Sequence, residues 1–467
     1  MIKNHDELHE ECGVVAIWGD DNAAQLTYYG LHSLQHRGQE AAGIVVRNKS
    51  RKLNIHKGEG LVSEVFNKEK IEKLSGNAAI GHVRYSTAGG GGIMNVQPFL
   101  FRTLDGMMGI AHNGNIVNAN LLKKELEENG SIFNSTSDTE VLGHLIKRET
   151  GRFVDRICKS LEKIDGAFAF VILVEDALYV ARDRYGLRPL SMGRLPSGGY
   201  MFSSETCALD IAGAEYVRDV EPGEIIRVKD GIIKSKKYTE TLPICNKLCA
   251  MEYIYFSRPD SNLDGINVHT ARKTCGKTLF EEAPVEADLV IGVPDSSISA
   301  AIGYSEASGI PYEMGLIKNK YVGRTFIQPT QEMRERGVRM KLSAVSSIVK
   351  GKRVIMIDDS IVRGTTSARI VSLLKNSGAK EVHVRISSPP FKHPCYFGTD
   401  IPSEDQLIAT GKTVDEICKI IGADSLGYLE VDRLSEMICG GTGFCDACFT
   451  GNYPMDPPTR DIRGEMG

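Results

Sequence analysis

No apolar run in this chain approaches the ~18 consecutive residues that cross a bilayer as a helix, so the protein reads as soluble. An excess of one charge is also lacking. The 56 Lys and Arg stand against 60 Asp and Glu for a net charge of −4, which gives no electrostatic reason to expect a nucleic-acid or membrane partner. There is no repeat and no low-complexity tract. The opening "MIKNHDELHEE" has neither a basic start nor an apolar stretch of ~7–15 residues, so it is not a secretory signal. It is rich in Glu and Asp and has no arginine, which argues against a mitochondrial address as well. Eleven cysteines without an export signal point to reduced thiols in the cytoplasm, where they are catalytic, metal-binding or simply buried.

What is present divides at about residue 240. A chain of 467 residues suggests two or three domains at roughly 150 residues each. In the first half, short Val-, Ile- and Ala-rich strands such as "CGVVAIW", "AGIVVRN", "AAIGHVRYST", "GMMGIAHNG", "AFAFVILVED", "ALYVARD" and "EIIRVKDG" are broken by turns, with helices expected at 23–36, 119–129 and 138–149. This pattern predicts stacked sheets covered by helices. In the second half strands alternate with helices: helix 268–283, strand "DLVIGVP", helix 297–308, strands "IPYEMGLI" and "RVIMIDD", helix 365–376 and strand "EVHVRISS". That alternation predicts a mostly parallel sheet with ligands at the strand C-termini. The long basic stretch at 318–343 has the character of a functional loop, expected to close over the site.

"RVIMIDDSIVRGTTSARIV" carries the strongest local signal. An apolar strand delivers Asp358 and Asp359 to its C-terminal end, and Arg363, Gly364, Thr365 and Thr366 follow at the mouth of a helix. Free N–H groups at a helix start bind phosphate, and glycine lets an anion approach closely. The two acids cannot hold phosphate, but they can take ribose hydroxyls directly or through a divalent ion. The pattern therefore asks for a phosphorylated, hydroxyl-bearing substrate. It resembles the phosphoribosyl-pyrophosphate signature of type I phosphoribosyltransferases. "IGVPDSSISAA" adds a second strand end with Ser296, where that family binds pyrophosphate and metal, although "PDSS" alone is an ordinary turn and cap.

Cys12 ends the acidic leader and begins a strand, so position alone allows either a cleaved leader or a solvated tail ahead of a buried cysteine. "LHSLQHRGQEAAGI", "GHVRYSTAGG", "AHNGNIVN" and "SDTEVL" resemble, in that order, class II glutamine amidotransferase domains. With both halves present, nearly the whole chain resembles the amidophosphoribosyltransferase family. The resemblance implies a four-layer αββα N-terminal-nucleophile hydrolase fold at 12–240 behind a propeptide at 1–11. A phosphoribosyltransferase domain at 241–467 would follow, with a cluster-binding C-terminal segment. It implies Cys12 as nucleophile, Asn113 and Gly114 as oxyanion hole, and Arg84, Thr87 and Asp138 around glutamine. It also implies phosphoribosyl pyrophosphate on Asp358, Asp359, Arg363, Gly364, Thr365 and Thr366, with Mg²⁺ at Ser296, Asp358 and Asp359. Regulation by purine nucleotides and a homotetramer are inherited expectations. Two other readings stand beside this one: a glutaminase joined to a different acceptor, and a nonenzymatic phosphoribosyl-pyrophosphate sensor.

Cys445 and Cys448 have the C-x₂-C spacing of a two-ligand metal bite. Family members with a 4Fe–4S cluster add two distant cysteines, which match Cys249 in "CAMEYIYFSRPDS" and Cys395 in "SSPPFKHPCYFG". Zinc is the chief competitor. Cys245 fits the spacing less well, and Cys158, Cys207, Cys275, Cys418 and Cys439 look like small buried hydrophobes. His36 and His112 carry no ligand spacing.

Overall fold

The computed structural model describes residues 12–85, 92–319, 342–399, 401, 403–438 and 443–458. Two antiparallel sheets occupy the first half. One has seven strands in the order Glu215–Asp219, Ser191–Arg194, Tyr200–Ser203, Gly13–Trp18, Ala78–Arg84, Ala41–Arg47 and Leu53–Glu59. The other has six, in the order Ile232–Lys237, Glu224–Lys229, Leu178–Arg182, Gly166–Val174, Gly106–Ile116 and Phe99–Thr103.

Strand alternation sorts the side chains into layers. Val14, Ala16, Trp18 and Ile80 meet Ala111, Ala169, Val171 and Ile226 between the sheets. Val15, Ile17 and Ile44 face outward onto the helix Ala23–Ser33. On the opposite outer face, Met108, Ile110, Phe168 and Phe170 pack under the helices Ala119–Glu128, Thr139–Arg148 and Phe153–Leu161. The result is the expected helix–sheet–sheet–helix order. The helix expected over 23–36 stops at Ser33, followed by turns through Arg37.

The second half contains a four-stranded parallel sheet ordered Leu289–Gly292, Arg353–Asp358, Glu381–Ile386 and Ser425–Tyr428. Helices Val268–Glu282 and Ile298–Ser308 cover one face; Thr365–Asn376 and Val414–Ile421 cover the other. One expected strand behaves differently. "IPYEMGLI" contributes only an isolated bridge, Tyr312 to Val290, and its end, Leu316–Lys318, pairs antiparallel with Leu342–Ala344. The chain turns away just after the bridge, where the Gly315 amide donates to the Glu313 carbonyl at 3.0 Å, so the run does not continue along the sheet. Among the described residues no helix is long and apolar enough to cross a membrane.

A buried ionic network joins the halves. Arg37, wholly buried, donates to Glu205 at 2.8 Å and to both oxygens of Glu252 at 2.7 and 2.9 Å. Arg188 donates to Glu252 at 3.3 Å and to the carbonyl of Phe397 at 2.5 Å. The Arg37 Nε also reaches the Cys12 carbonyl at 3.2 Å. Buried charges persist when paired and hydrogen-bonded, and here the pairing runs between residues of the two halves.

Candidate active sites

Cys12 lies at the head of the strand Gly13–Trp18, a central strand of the seven-stranded sheet. Its Sγ faces the Tyr85 carbonyl at 3.7 Å. Burial pushes the thiol up; the charges of Arg84 and Arg37 oppose this, and that of Asp138 adds to it. Such a cysteine is not a resting thiolate and needs a base at the moment of attack.

Arg84 ends the neighbouring strand and is buried. Asn113 and Gly114 come from the facing sheet, in the strand Gly106–Ile116. Gly114 has φ +141, and a Cβ there would stand 2.0 Å from the Ala167 carbonyl, so only glycine fits this backbone. Asn113 is fully buried and donates through Nδ2 to Ser204 Oγ at 3.3 Å. Asp138 stands immediately before the helix Thr139–Arg148 and accepts from the Ile116 amide at 2.8 Å. Burial acts to raise its carboxyl, but His112 and that amide hold it below the usual range, so it stays ionised. A thiol, a guanidinium, a carboxylate and an amide donor therefore converge at one end of the two sheets. Thr87 lies outside the described residues.

The second site is built at the C-terminal ends of the parallel strands. Asp358 Oδ1 accepts from the Asp359 amide at 3.0 Å and from Ser297 Oγ at 3.3 Å. Asp359 accepts from Ser296 Oγ at 2.5 Å and from Ser360 Oγ at 2.6 Å. Burial pushes both carboxyls up, and the charge of Asp359 adds to the effect on Asp358. Gly364, at φ +84, turns the chain into the helix Thr365–Asn376, and a Cβ there would sit 2.5 Å from Ile408. The helix begins at Thr365 and Thr366, and N–H groups at a helix start are of the kind that can bind an anion. Arg363 donates to Gln406 at 2.5 Å, and Lys318 to Asp295 at 3.1 Å. Most of the basic loop, residues 320–341, lies outside the described residues.

The family model for the glutamine amidotransferase domain matches residues 89–210, and that for the phosphoribosyl transferase domain matches 270–387. The amidophosphoribosyltransferase of Bacillus subtilis (strain 168) is 59% identical over 464 residues, covering 98% of this chain and 96% of that protein. The chain belongs to the amidophosphoribosyltransferase family. Its activity is glutamine-dependent amination of phosphoribosyl pyrophosphate, the first step of purine biosynthesis. The amidophosphoribosyltransferase of Staphylococcus aureus (strain Mu50) is 54% identical, covering 97% of this chain and 92% of that one. The solved structure of the B. subtilis glutamine phosphoribosylpyrophosphate amidotransferase, complexed with ADP and GMP, superposes with a TM-score of 0.90. It is 57% identical and covers 96% of this chain and 98% of that one.

The four cysteines of the C-x₂-C reading come together in the fold. Leu248–Cys249 pairs in parallel with Phe444–Cys445, setting Cys249 beside Cys445, and Cys448 lies in the helical turn that follows. The Lys392 and His393 amides donate to the Cys448 carbonyl at 3.0 and 3.1 Å, drawing the Cys395 segment in. Burial pushes the Cys249 and Cys445 thiols up to about 12, with the charge of Cys395 adding to each, and pushes Cys448 well up. Among the described residues no three His, Cys, Asp or Glu side chains form a preformed cage for a single ion. Cys245 is exposed; Cys158, Cys207 and Cys275 are buried as expected, Cys418 is only partly so, and Cys439 lies outside the described residues.

Sequence reasoning left Arg37, Ser204, Glu205 and Glu252 without roles. Arg37 and Glu252 sit inside quoted motifs, but nothing local marks them as buried, because their partners lie 168 and 215 residues away in the chain.

Proposed function

We propose that the two halves of the reaction divide at about residue 240, with Cys12 attacking glutamine and the Asp358–Asp359 strand end receiving the ammonia. The convergence of Cys12, Arg84, Asp138 and Asn113 carries this reading. Arg84 pairs with the α-carboxylate of glutamine and Asp138 with its α-ammonium, and Thr87 completes that pocket. Sγ then adds to the side-chain carbonyl, and Asn113 Nδ2 with the Gly114 N–H takes the charge on the tetrahedral oxygen; one such donor is worth about 3–4 kcal/mol. Ammonia leaves, and water cleaves the thioester to glutamate. At the second site ammonia displaces pyrophosphate from C1 of phosphoribosyl pyrophosphate, giving 5-phosphoribosylamine.

Ser296, Asp358 and Asp359 offer only oxygen donors, which suits Mg²⁺. Bound there, Mg²⁺ supplies charge neutralisation for the leaving pyrophosphate. Asp358 and Asp359 face the positive charge that develops on the ribose, and the helix end at Gly364, Thr365 and Thr366, with Arg363, holds the 5-phosphate. The loop at 318–343 is assigned to closure and water exclusion, which keeps ammonia unprotonated on its way between sites. Purine nucleotides as feedback regulators and a homotetrameric assembly complete the reading, by likeness to the family.

An internal Cys12 has an amide nitrogen, which cannot act as a base. Cleavage between Glu11 and Cys12 frees an α-amine of pKa about 8 beside a thiol that needs one. Active enzyme is expected to have a mass lacking residues 1–11. Full glutamine-dependent activity in protein that retains the leader would refute the α-amine role.

Cys249, Cys395, Cys445 and Cys448 are assigned to a structural 4Fe–4S cluster. Four soft thiols gathered at one place, three of which (Cys249, Cys445 and Cys448) are pushed up by burial and by neighbouring cysteines, are the donor set that a bound metal would deprotonate. A cluster held by these four cysteines would tie the C-terminal segment and the Cys249 segment onto the transferase domain. Protein purified without oxygen is expected to be brown, with about four irons per chain. Colourless protein with stoichiometric zinc would overturn the assignment.

A further inference from the structure

Ser204 follows the strand Tyr200–Ser203 and is wholly buried. Its Oγ accepts from the Val14 amide at 3.0 Å, and its own amide donates to the Val14 carbonyl at 3.1 Å. Val14 stands two residues beyond Cys12. The same hydroxyl oxygen accepts from Asn113 Nδ2 across the gap between the sheets at 3.3 Å. One side chain thus ties the strand that presents the thiol to the carboxamide expected to meet the oxyanion. Asn113 Oδ1 has no partner among the described residues, so Ser204 is what fixes the rotation of that amide.

The main chain of Asn113 is held from the other side. His82 Nε2 donates to the His112 carbonyl at 3.0 Å, on the peptide whose nitrogen belongs to Asn113. Burial, reinforced by the charge of Arg84, pushes the His82 imidazole down to about 3, so it stays neutral and keeps this donor at working pH.

We propose that Ser204 is a positioning residue of the glutaminase reaction, holding the Asn113 carboxamide in register with Cys12 so that an Nδ2 hydrogen faces the tetrahedral oxyanion. The proposal rests on Asn113 being an oxyanion donor. The torsion at the end of an asparagine is broad and shallow, so an unanchored amide spends much of its time turned away. Ground-state contacts through Arg84 and Asp138 do not involve Ser204. Its loss therefore falls on kcat and spares KM.

The test uses the mature full-length enzyme and four variants: Ser204→Ala, Ser204→Thr, Asn113→Ala, and the double variant Ser204→Ala/Asn113→Ala. Ser204→Ala is expected to lower kcat with glutamine by about 10- to 100-fold, less than the ~10²–10³ for deleting a donor outright. KM for glutamine should stay within about twofold, and ammonia-dependent synthesis by the same preparation should be unchanged. Ser204→Thr should restore most of the rate, and in the double variant the serine change should add little to the asparagine change. Normal kcat in Ser204→Ala beside a crippled Asn113→Ala would overturn the proposal alone. Normal kcat in Asn113→Ala would overturn the oxyanion reading beneath it. Equal losses with glutamine and ammonia, or additive effects in the double variant, would also count against positioning. Should the alanine variant not fold, Ser204→Cys keeps the volume with a weaker acceptor, and a kcat equal to wild type there would overturn the idea.

Discussion

Glutamine-dependent synthesis of phosphoribosylamine is expected to fall by about 10³-fold or more when Cys12 is replaced by alanine, while synthesis from free ammonia persists within about twofold. The asymmetry follows from the two sites. The thiol stands at the end of the antiparallel sheets, whereas Asp358 and Asp359 end a strand of the separate parallel sheet. Nothing in the Asp358 and Asp359 hydrogen bonding involves Cys12. Alanine removes a sulfur without stranding a charge, so the buried Arg37 network, which touches only the Cys12 carbonyl, is left intact. Parallel assays with glutamine and with an ammonium salt at mildly alkaline pH measure both arms. Loss of both activities together would mean that Cys12 supports the fold or the transferase site, and the nucleophile assignment would fail.

What could be read before the structure follows the physics of burial. The strand Gly166–Val174 is buried along all nine residues and advertises itself as an unbroken apolar run. The edge strand Leu53–Glu59, "LNIHKGE", is largely exposed and has no such signature; its pairing with Ala41–Arg47 makes it a strand. Ser425–Tyr428, the fourth parallel strand, is short, contains glycine and is mostly half-buried, so its pattern does not mark it as a strand either. The acid pair and the glycine turn before Thr365 were legible because strand, ligand loop and helix start are contiguous in sequence. The proposed glutamine site is legible only through its motifs taken together, since Cys12, Arg84, Asn113 and Asp138 meet through sheet stacking. Ser204 and Arg37 were beyond reach for a further reason. A serine or an arginine in a polar stretch looks solvated, and these two are buried only because other segments close over them.

Asp358→Asn and Asp359→Asn are each expected to lower synthesis from glutamine and from ammonia alike, on the order of 10²–10³-fold in kcat/KM for phosphoribosyl pyrophosphate. Glutamate release by the Cys12 site in the absence of that substrate should be untouched. The two variants should differ in kind. Asp358 Oδ1 is engaged by the Asp359 amide and Ser297, which leaves Oδ2 for ligand. Both oxygens of Asp359 take serine hydroxyls, one from Ser296 and one from Ser360. An asparagine at 359 must turn an NH₂ toward one of those hydroxyls, which can rotate to accept it, whereas an asparagine at 358 loses a charge aimed at the ligand. Asp358→Asn is therefore expected to depress kcat more, and Asp359→Asn to weaken the dependence on Mg²⁺ more. Titrating Mg²⁺ and phosphoribosyl pyrophosphate against each variant separates the effects. If both variants raised only KM and left kcat intact, the acids would be binding the ground state and the transition state equally. They would then serve as ribose ligands with no part in stabilising the developing positive charge.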